Sequence, residues 1–172
     1  MLTVDESALS DLIRDEWPKL RRFFRTKVPD SDVLNLARST LLAFVDARAR
    51  IAICEGAELW RTARRQVLEY YAQHRSAVSF DSTVQTILEL DPSLTSRLYR
   101  GSRMINALHA LPLDHQIAFE LLHGEGLATA DVAAALDVND ATTNCYLASA
   151  QATLTARLGE DSDAIRQAYA ML

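Results

Sequence analysis

The sequence predicts an all-α fold of two small helical domains joined by a linker. Only 5 Gly and 4 Pro interrupt 172 residues, and β-branched and aromatic runs are scarce. Apolar residues recur at steps of three and four through most of the chain, the period of a helix with one buried face. One segment, residues 76–102, is dense in Ser, Thr, Asp, Pro and Gly and reads as the linker. The expected division is therefore a first domain at 1–75, a second at 103–158 and a short tail at 159–172. Hydrophobic residues make up 49% of the chain, enough to bury a core.

In the first domain, Leu9, Leu12, Ile13, Trp17, Leu20, Phe23, Phe24 and Val28 recur at helical spacing. They predict an amphipathic helix over 5–28, bent at Pro18. Its later part is basic (Lys19, Arg21, Arg22, Arg25, Lys27), which suits the negative end of a helix dipole. Pro29 to Asp32 reads as a turn and N-cap. A second helix at 32–50 is apolar on most sides and is expected at the centre of the bundle. A third, at 57–75, turns Leu59, Ala63, Val67, Tyr70 and Tyr71 inward. Arg61, Arg64, Arg65 and Arg75 project elsewhere, interleaved with Trp60, Tyr70 and Tyr71. Cations that hold phosphates beside rings that offer stacking suit single-stranded or melted nucleic acid. A solvated basic face over core aromatics is the plainer alternative.

In the second domain, Leu111-Pro112 breaks one helical stretch into two. Asp114 is the expected cap of the second piece, and Gly124 and Gly126 its end. Val132 and Leu136 mark a short helix. Asp137 falls where a helix-turn-helix needs a left-handed residue, Val138 is its buried turn residue, and Asn139 or Asp140 caps the next helix. Thr143, Leu147, Ala150, Leu154 and Leu158 continue that helix, giving a helix-turn-helix by spacing. In the tail, Gly159 ends that helix and Asp161 or Ser162 caps a last one. Ile165, Ala168 or Tyr169, and Leu172 form its apolar stripe, expected to pack back on the domain.

Charge and composition narrow the function classes. The formal net charge is -5, unevenly placed. Residues 1–102 carry 15 Lys+Arg and 14 Asp+Glu, a net +1; residues 103–172 carry 3 and 9, a net -6. No apolar run approaches the roughly 18–20 residues of a membrane span. The opening MLTVDESALSDL has acids where a secretion signal has a basic start and an apolar stretch, so a cytoplasmic, membrane-free protein is expected. Cys54 and Cys145 stand alone, form no metal or redox motif, and are expected as small buried apolar residues in a reducing compartment. His74, His109, His115 and His123 lack metal-ligand spacing. There is no Gly-rich phosphate loop or GxSxG elbow. No catalytic residue, metal or cofactor is expected.

The order of these parts resembles a bacterial RNA polymerase sigma factor of the extracytoplasmic-function (ECF) type, over residues 8–158. DVLNLARSTLLAFV (32–45) aligns with that family's polymerase-binding helix, usually of the form DAEDLVQETFLRAW. LWRTARRQVLEYYAQHR (59–75) is similar to its promoter -10 helix, usually of the form WLYRIARNLALDYLRRR. ALHALPLDHQIAFELLHGEGLATADVAAALDVNDATTNCYLASAQATL aligns with region 4, keeping Leu111-Pro112, Glu125-Gly126-Leu127 and the helix-turn-helix spacing. The resemblance implies a region 2 bundle followed by a region 4 helix-turn-helix. It implies docking on core RNA polymerase through Asp32, Asn35, Arg38 and Ser39. Arg61, Arg64, Arg65, Arg75 and Tyr71 would engage melted -10 DNA. Asn144, Tyr146, Ser149 and Gln151 would lie at the -35 element.

The departures are specific. The family expects acids at 34, 35 and 39; here stand Leu34, Asn35 and Ser39, and only Asp32 remains. In the family those acids face a basic coiled coil of the polymerase. Each lost rim pair is worth about 0.2–1 kcal/mol, together one to two decades in affinity. Phosphorylating Ser39 or Thr40 would add about -1.5 to -2 charge there, so a Ser/Thr kinase is an expected activator and an anti-sigma factor a further possible partner. On the recognition helix, Asn144, Tyr146, Ser149 and Gln151 stand where the family carries Lys or Arg, and Arg157 is its one cation. Asn144 and Gln151 can still read adenine edges, but phosphate contacts normally set the register. The alternative expectation is a sigma-derived protein-interaction regulator, an adaptor or decoy that binds DNA weakly.

Overall fold

The computed structural model describes residues 6–48, 55–74, 103–159 and 161–172. All regular structure among them is helical. Helix α1 (Glu6–Arg25) runs unbroken through Pro18, whose exposed position lets water reach the carbonyl the ring leaves unpaired. It stops where the Lys27 and Val28 amides both donate to the Phe24 carbonyl, at 2.8 and 3.0 Å. Helix α2 spans Asp30–Arg48 and α3 spans Glu55–Gln73. Residues 103–109 form α4. Helix α5 (Leu113–Phe119) continues into a π-helical turn, Glu120–Gly124. Then come α6 (Thr129–Leu136), α7 (Asp140–Leu158) and α8 (Ser162–Ala170).

Helix α3, not α2, is central. It lies between α2 on one side and α6 on the other. Helix α2 touches α1 and α3 and leaves Leu34 and Leu42 53% and 57% exposed, so the expectation of a central second helix is corrected. Its apolar residues number more than its one buried face can hold.

A single hydrophobic cluster draws on both sides of the 75–102 segment. Phe23 and Phe24 of α1, Phe44 of α2 and Trp60 and Val67 of α3 pack with Ile117 and Leu121 of α5 and its π turn, and with Val132 and Leu136 of α6. Phe23 sits edge-on to Phe24 (centroids 5.3 Å) and tilted against Trp60 (5.4 Å), geometries that favour aromatic pairs. A second cluster joins Met104 and Leu108 of α4 to Phe119, Leu154, Ile165 and Tyr169.

The helix-turn-helix forms as its local chemistry dictates. Asp137 closes α6 at φ 59°, the left-handed conformation. The Asn139 carboxamide accepts the Thr142 amide at 2.8 Å and caps α7; Asp140 does not. Gly159 (φ 66°) ends α7, and Asp161 accepts the Ala164 amide at 2.9 Å to start α8. Helix α8 docks through Ile165 and Tyr169, both 0% exposed. Gly124 is required by that docking, since a Cβ there would lie 1.9 Å from a Tyr169 ring carbon.

Two local expectations are corrected. Asp114 does not cap α5; Pro112 occupies that position with no side-chain cap. Cys145 is exposed on the outer side of α7 rather than buried. The linker, Cys54 and Arg75 lie outside the described residues.

Candidate nucleic-acid and partner interfaces

Helix α2 presents one uncovered stripe. Leu34, Asn35, Arg38, Ser39 and Leu42 are all exposed and follow one another at helical steps. Asp32 sits off this stripe, half-buried, accepting a hydrogen bond from the Tyr70 hydroxyl at 2.8 Å. Burial, with that carboxylate beside it, pushes the Tyr70 phenol up to about 12. Ser39 and Thr40 part company. The Thr40 side chain is 0% exposed and donates to the Leu36 carbonyl at 2.8 Å, so no kinase can reach it on the folded helix. Of these two hydroxyl residues only Ser39 is exposed.

On α3, three of the residues expected at DNA, Arg61, Arg64 and Tyr71, meet the protein itself. Arg64 forms a two-pronged pair with Asp114 at 2.8 and 3.1 Å. That pairing raises its pKa further. Arg61 donates to the Ala134 carbonyl from two nitrogens (2.8 and 3.2 Å) and to Glu58 at 3.0 Å. Ala134 lies in the last turn of α6, the negative end of that helix. Arg65 is exposed and has no ion pair among the described residues. The aromatics are not stacking platforms. Trp60 is 2% exposed, Tyr70 stacks on His74 (4.1 Å), and the Tyr71 hydroxyl donates to the Lys27 carbonyl at 2.7 Å. Burial raises the Tyr71 pKa.

On α7, Asn144 and Ser149 are exposed. Tyr146 stacks on His115 (4.5 Å) and Gln151 donates to Thr155 at 3.2 Å. The outer face of this helix is small and uncharged from Asn144 to Ala152. Among its described side chains no Lys or Arg precedes Arg157.

Between the front helices (α1 to α3) and the back ones (α4 to α8) lies a charged seam that sequence reasoning did not find. At its centre the Lys27 ammonium and Glu120 carboxylate pair with both side chains 0% exposed. Lys27 also donates to the Phe23 carbonyl (2.9 Å) and Thr26 Oγ1 (3.0 Å), so each of its three protons has an acceptor. Its Nζ stands 3.7 Å from the Phe23 ring centroid. Glu120 Oε1 accepts from Gln116 and lies 2.9 Å from the Thr26 hydroxyl. Desolvation depresses the Lys27 pKa against the opposing pull of Glu120. At one edge Arg22 grips Glu125 through two bonds of 3.0 and 2.8 Å, with the Glu125 side chain 1% exposed. The imidazole of His109 reaches the Thr26 carbonyl at 2.7 Å, and Arg25 the Leu172 carbonyl at 3.0 Å.

The π turn explains why Glu120 and Glu125 both reach the seam. Its 120-to-125 hydrogen bond (3.0 Å) closes a wider turn than an α-helix, and such turns often mark functional positions. The signal for the seam was in the charges. The net +1 of residues 1–102 and -6 of 103–172 reflects, in part, cations Arg22, Lys27 and Arg64 facing acids Glu125, Glu120 and Asp114.

No protein-family model matches the chain, and no curated protein matches it.

Proposed function

We propose that the chain is a sigma-type transcription initiation factor. It docks on core RNA polymerase through the outer stripe of α2, presents α3 to melted -10 DNA, and sets the α6–α7 helix-turn-helix near the -35 element. It acts without catalytic residues, metal or cofactor, in the cytoplasm. No described helix is long and apolar enough to cross a membrane. The observation that carries the reading is the α2 stripe. Two leucines more than half exposed flank Ser39 on the helix that the resemblance assigns to polymerase. An uncovered apolar pair with a modifiable hydroxyl between suits a docking face whose charge is supplied by phosphorylation.

A second reading is favoured by a different observation. Arg61 and Arg64 already have internal acceptors, and the outer face of α7 lacks cations. Both suit a sigma-derived regulator that binds polymerase or an anti-sigma factor without reading DNA. Co-purification with core polymerase, followed by run-off transcription from a library of promoter fragments, separates the two. A promoter-dependent transcript supports the initiation factor. Binding with no transcript supports the regulator. No binding, with or without Ser39→Glu, removes the initiation factor and leaves only a regulator that acts on an anti-sigma factor.

A further inference from the structure

The geometry points to a binding site for a small organic phosphate in the groove between α1 and the first turns of α2. The groove holds about 500 Å³, within the roughly 300–1,000 Å³ of small-ligand clefts. Pro18, Arg21, Arg22 and Arg25 of α1 line it, together with Asp30, Val33 and Leu34 of α2 and Leu172.

Its cations are only partly compensated. Arg22 commits two nitrogens to Glu125. Arg25 gives one nitrogen to the Leu172 carbonyl at 3.0 Å and stands 3.9 Å from Asp30, beyond hydrogen-bond reach. Arg21 is exposed and has no hydrogen bond or ion pair among the described residues. With Arg22 balanced by Glu125, the lining keeps Arg21 and Arg25 against Asp30. Arg21 and Arg25 lie four residues apart on one helix face, where like charges repel. An anion held between them removes that repulsion.

A phosphate ester suits these groups better than a carboxylate. Each guanidinium offers a flat fork of donors. One carboxylate fills one fork, as Glu125 does for Arg22. A phosphate monoester carries about -1.5 to -2 charge and three free oxygens, so it can meet two forks at once. The organic body has a place beside them. Pro18 is exposed, Leu34 is 53% exposed, and both line the same groove as the arginines. An apolar group laid on them leaves water together with its phosphate.

The test uses the full chain and phenyl phosphate, read by calorimetry and by amide shifts in two-dimensional NMR. Shifts should cluster over residues 18–34, with a Kd of about 1 mM, ordinary for so small a ligand. Inorganic phosphate, which lacks the ring, and benzoate, which lacks the third oxygen, should each bind about tenfold more weakly. Phenyl phosphate no tighter than either overturns the assigned ligand class. Arg21→Gln and Arg25→Gln should each weaken binding about tenfold. Their urea curves should stay close to wild type, since both side chains are exposed. Leu34→Ser should bring phenyl phosphate towards the affinity of inorganic phosphate. Binding that survives Arg21→Gln combined with Arg25→Gln lies elsewhere and overturns the site, as does an absence of shifts at millimolar phenyl phosphate. A single-stranded oligonucleotide that shifts the same amides and displaces phenyl phosphate makes the groove a nucleic-acid contact and overturns the small-ligand site.

Discussion

Glu120→Gln keeps the shape of the buried acid and removes its charge. In the folded protein it leaves the Lys27 ammonium with the Phe23 carbonyl, Thr26 and the new amide oxygen, but no counter-charge, at 0% exposure. Breaking one side of such a pair costs about 3–5 kcal/mol, a large part of the 5–15 kcal/mol typical of a domain. Lys27→Met is expected to cost a similar amount. It strands the carboxylate on the Gln116 amide and the Thr26 hydroxyl alone. The double variant has neither charge. Its glutamine still accepts from Gln116, and the Thr26 hydroxyl keeps the Phe23 carbonyl at 2.9 Å. It should cost only about 0–2 kcal/mol, far below the summed single costs, so the coupling should reach about 4 kcal/mol or more. Urea unfolding followed by circular dichroism at fixed pH supplies all four corners of the cycle. Single variants that each cost under about 1 kcal/mol, or costs that simply add, would refute the buried pair as the organising contact of the seam.

Other predictions are local. Gly124→Ala drives a methyl into the Tyr169 ring, so α8 must shift, at about 1–3 kcal/mol; near-ultraviolet circular dichroism and thermal unfolding would register it. Ser39→Glu should leave stability within about 0.5 kcal/mol, whereas Thr40→Glu buries a charge and should cost several times more, read by the same urea curves. Tyr70 keeps its proton to about 12 when folded and to about 10 when unfolded. The folded state therefore binds more protons in that window, and stability should fall as pH climbs through it. Tyr70→Phe should flatten that fall in alkaline unfolding curves.

Capping chemistry was readable because it is decided within a few residues. Asp137, Asn139, Gly159 and Asp161 each meet a backbone need that their own side chain, or lack of one, answers. The helical period likewise placed Phe23, Val67, Leu154 and Ile165 inside. What periodicity does not contain is the partner across the core. Asp114 is of a residue type that caps helices, yet it lies inside the first turn of α5, where Arg64, distant in sequence, holds it. Trp60, Tyr70 and Tyr71 interleave with arginines along the chain, but Phe23, Asp32 and Lys27 receive them inside the fold. Helix α2 looked central because its residues are apolar, and only the position of its neighbours shows that Leu34 and Leu42 are left outside. The π turn at Glu120 has no sequence signature, so the convergence of Glu120 and Glu125 on one seam could not be anticipated from spacing.

The proposal that α2 is the docking helix rests on its outer stripe, and the affinity for core RNA polymerase tests it most directly. Leu42 is 57% exposed. Covering that surface in a complex is worth roughly 1–1.5 kcal/mol, about half of a full leucine burial, or about tenfold in Kd. Titrating core polymerase with wild type, Leu42→Ser and Ser39→Glu should give a Kd about tenfold weaker for the first variant and tighter for the second, with unfolding curves close to wild type. Equal affinities for all three would place the polymerase contact elsewhere and contradict the account.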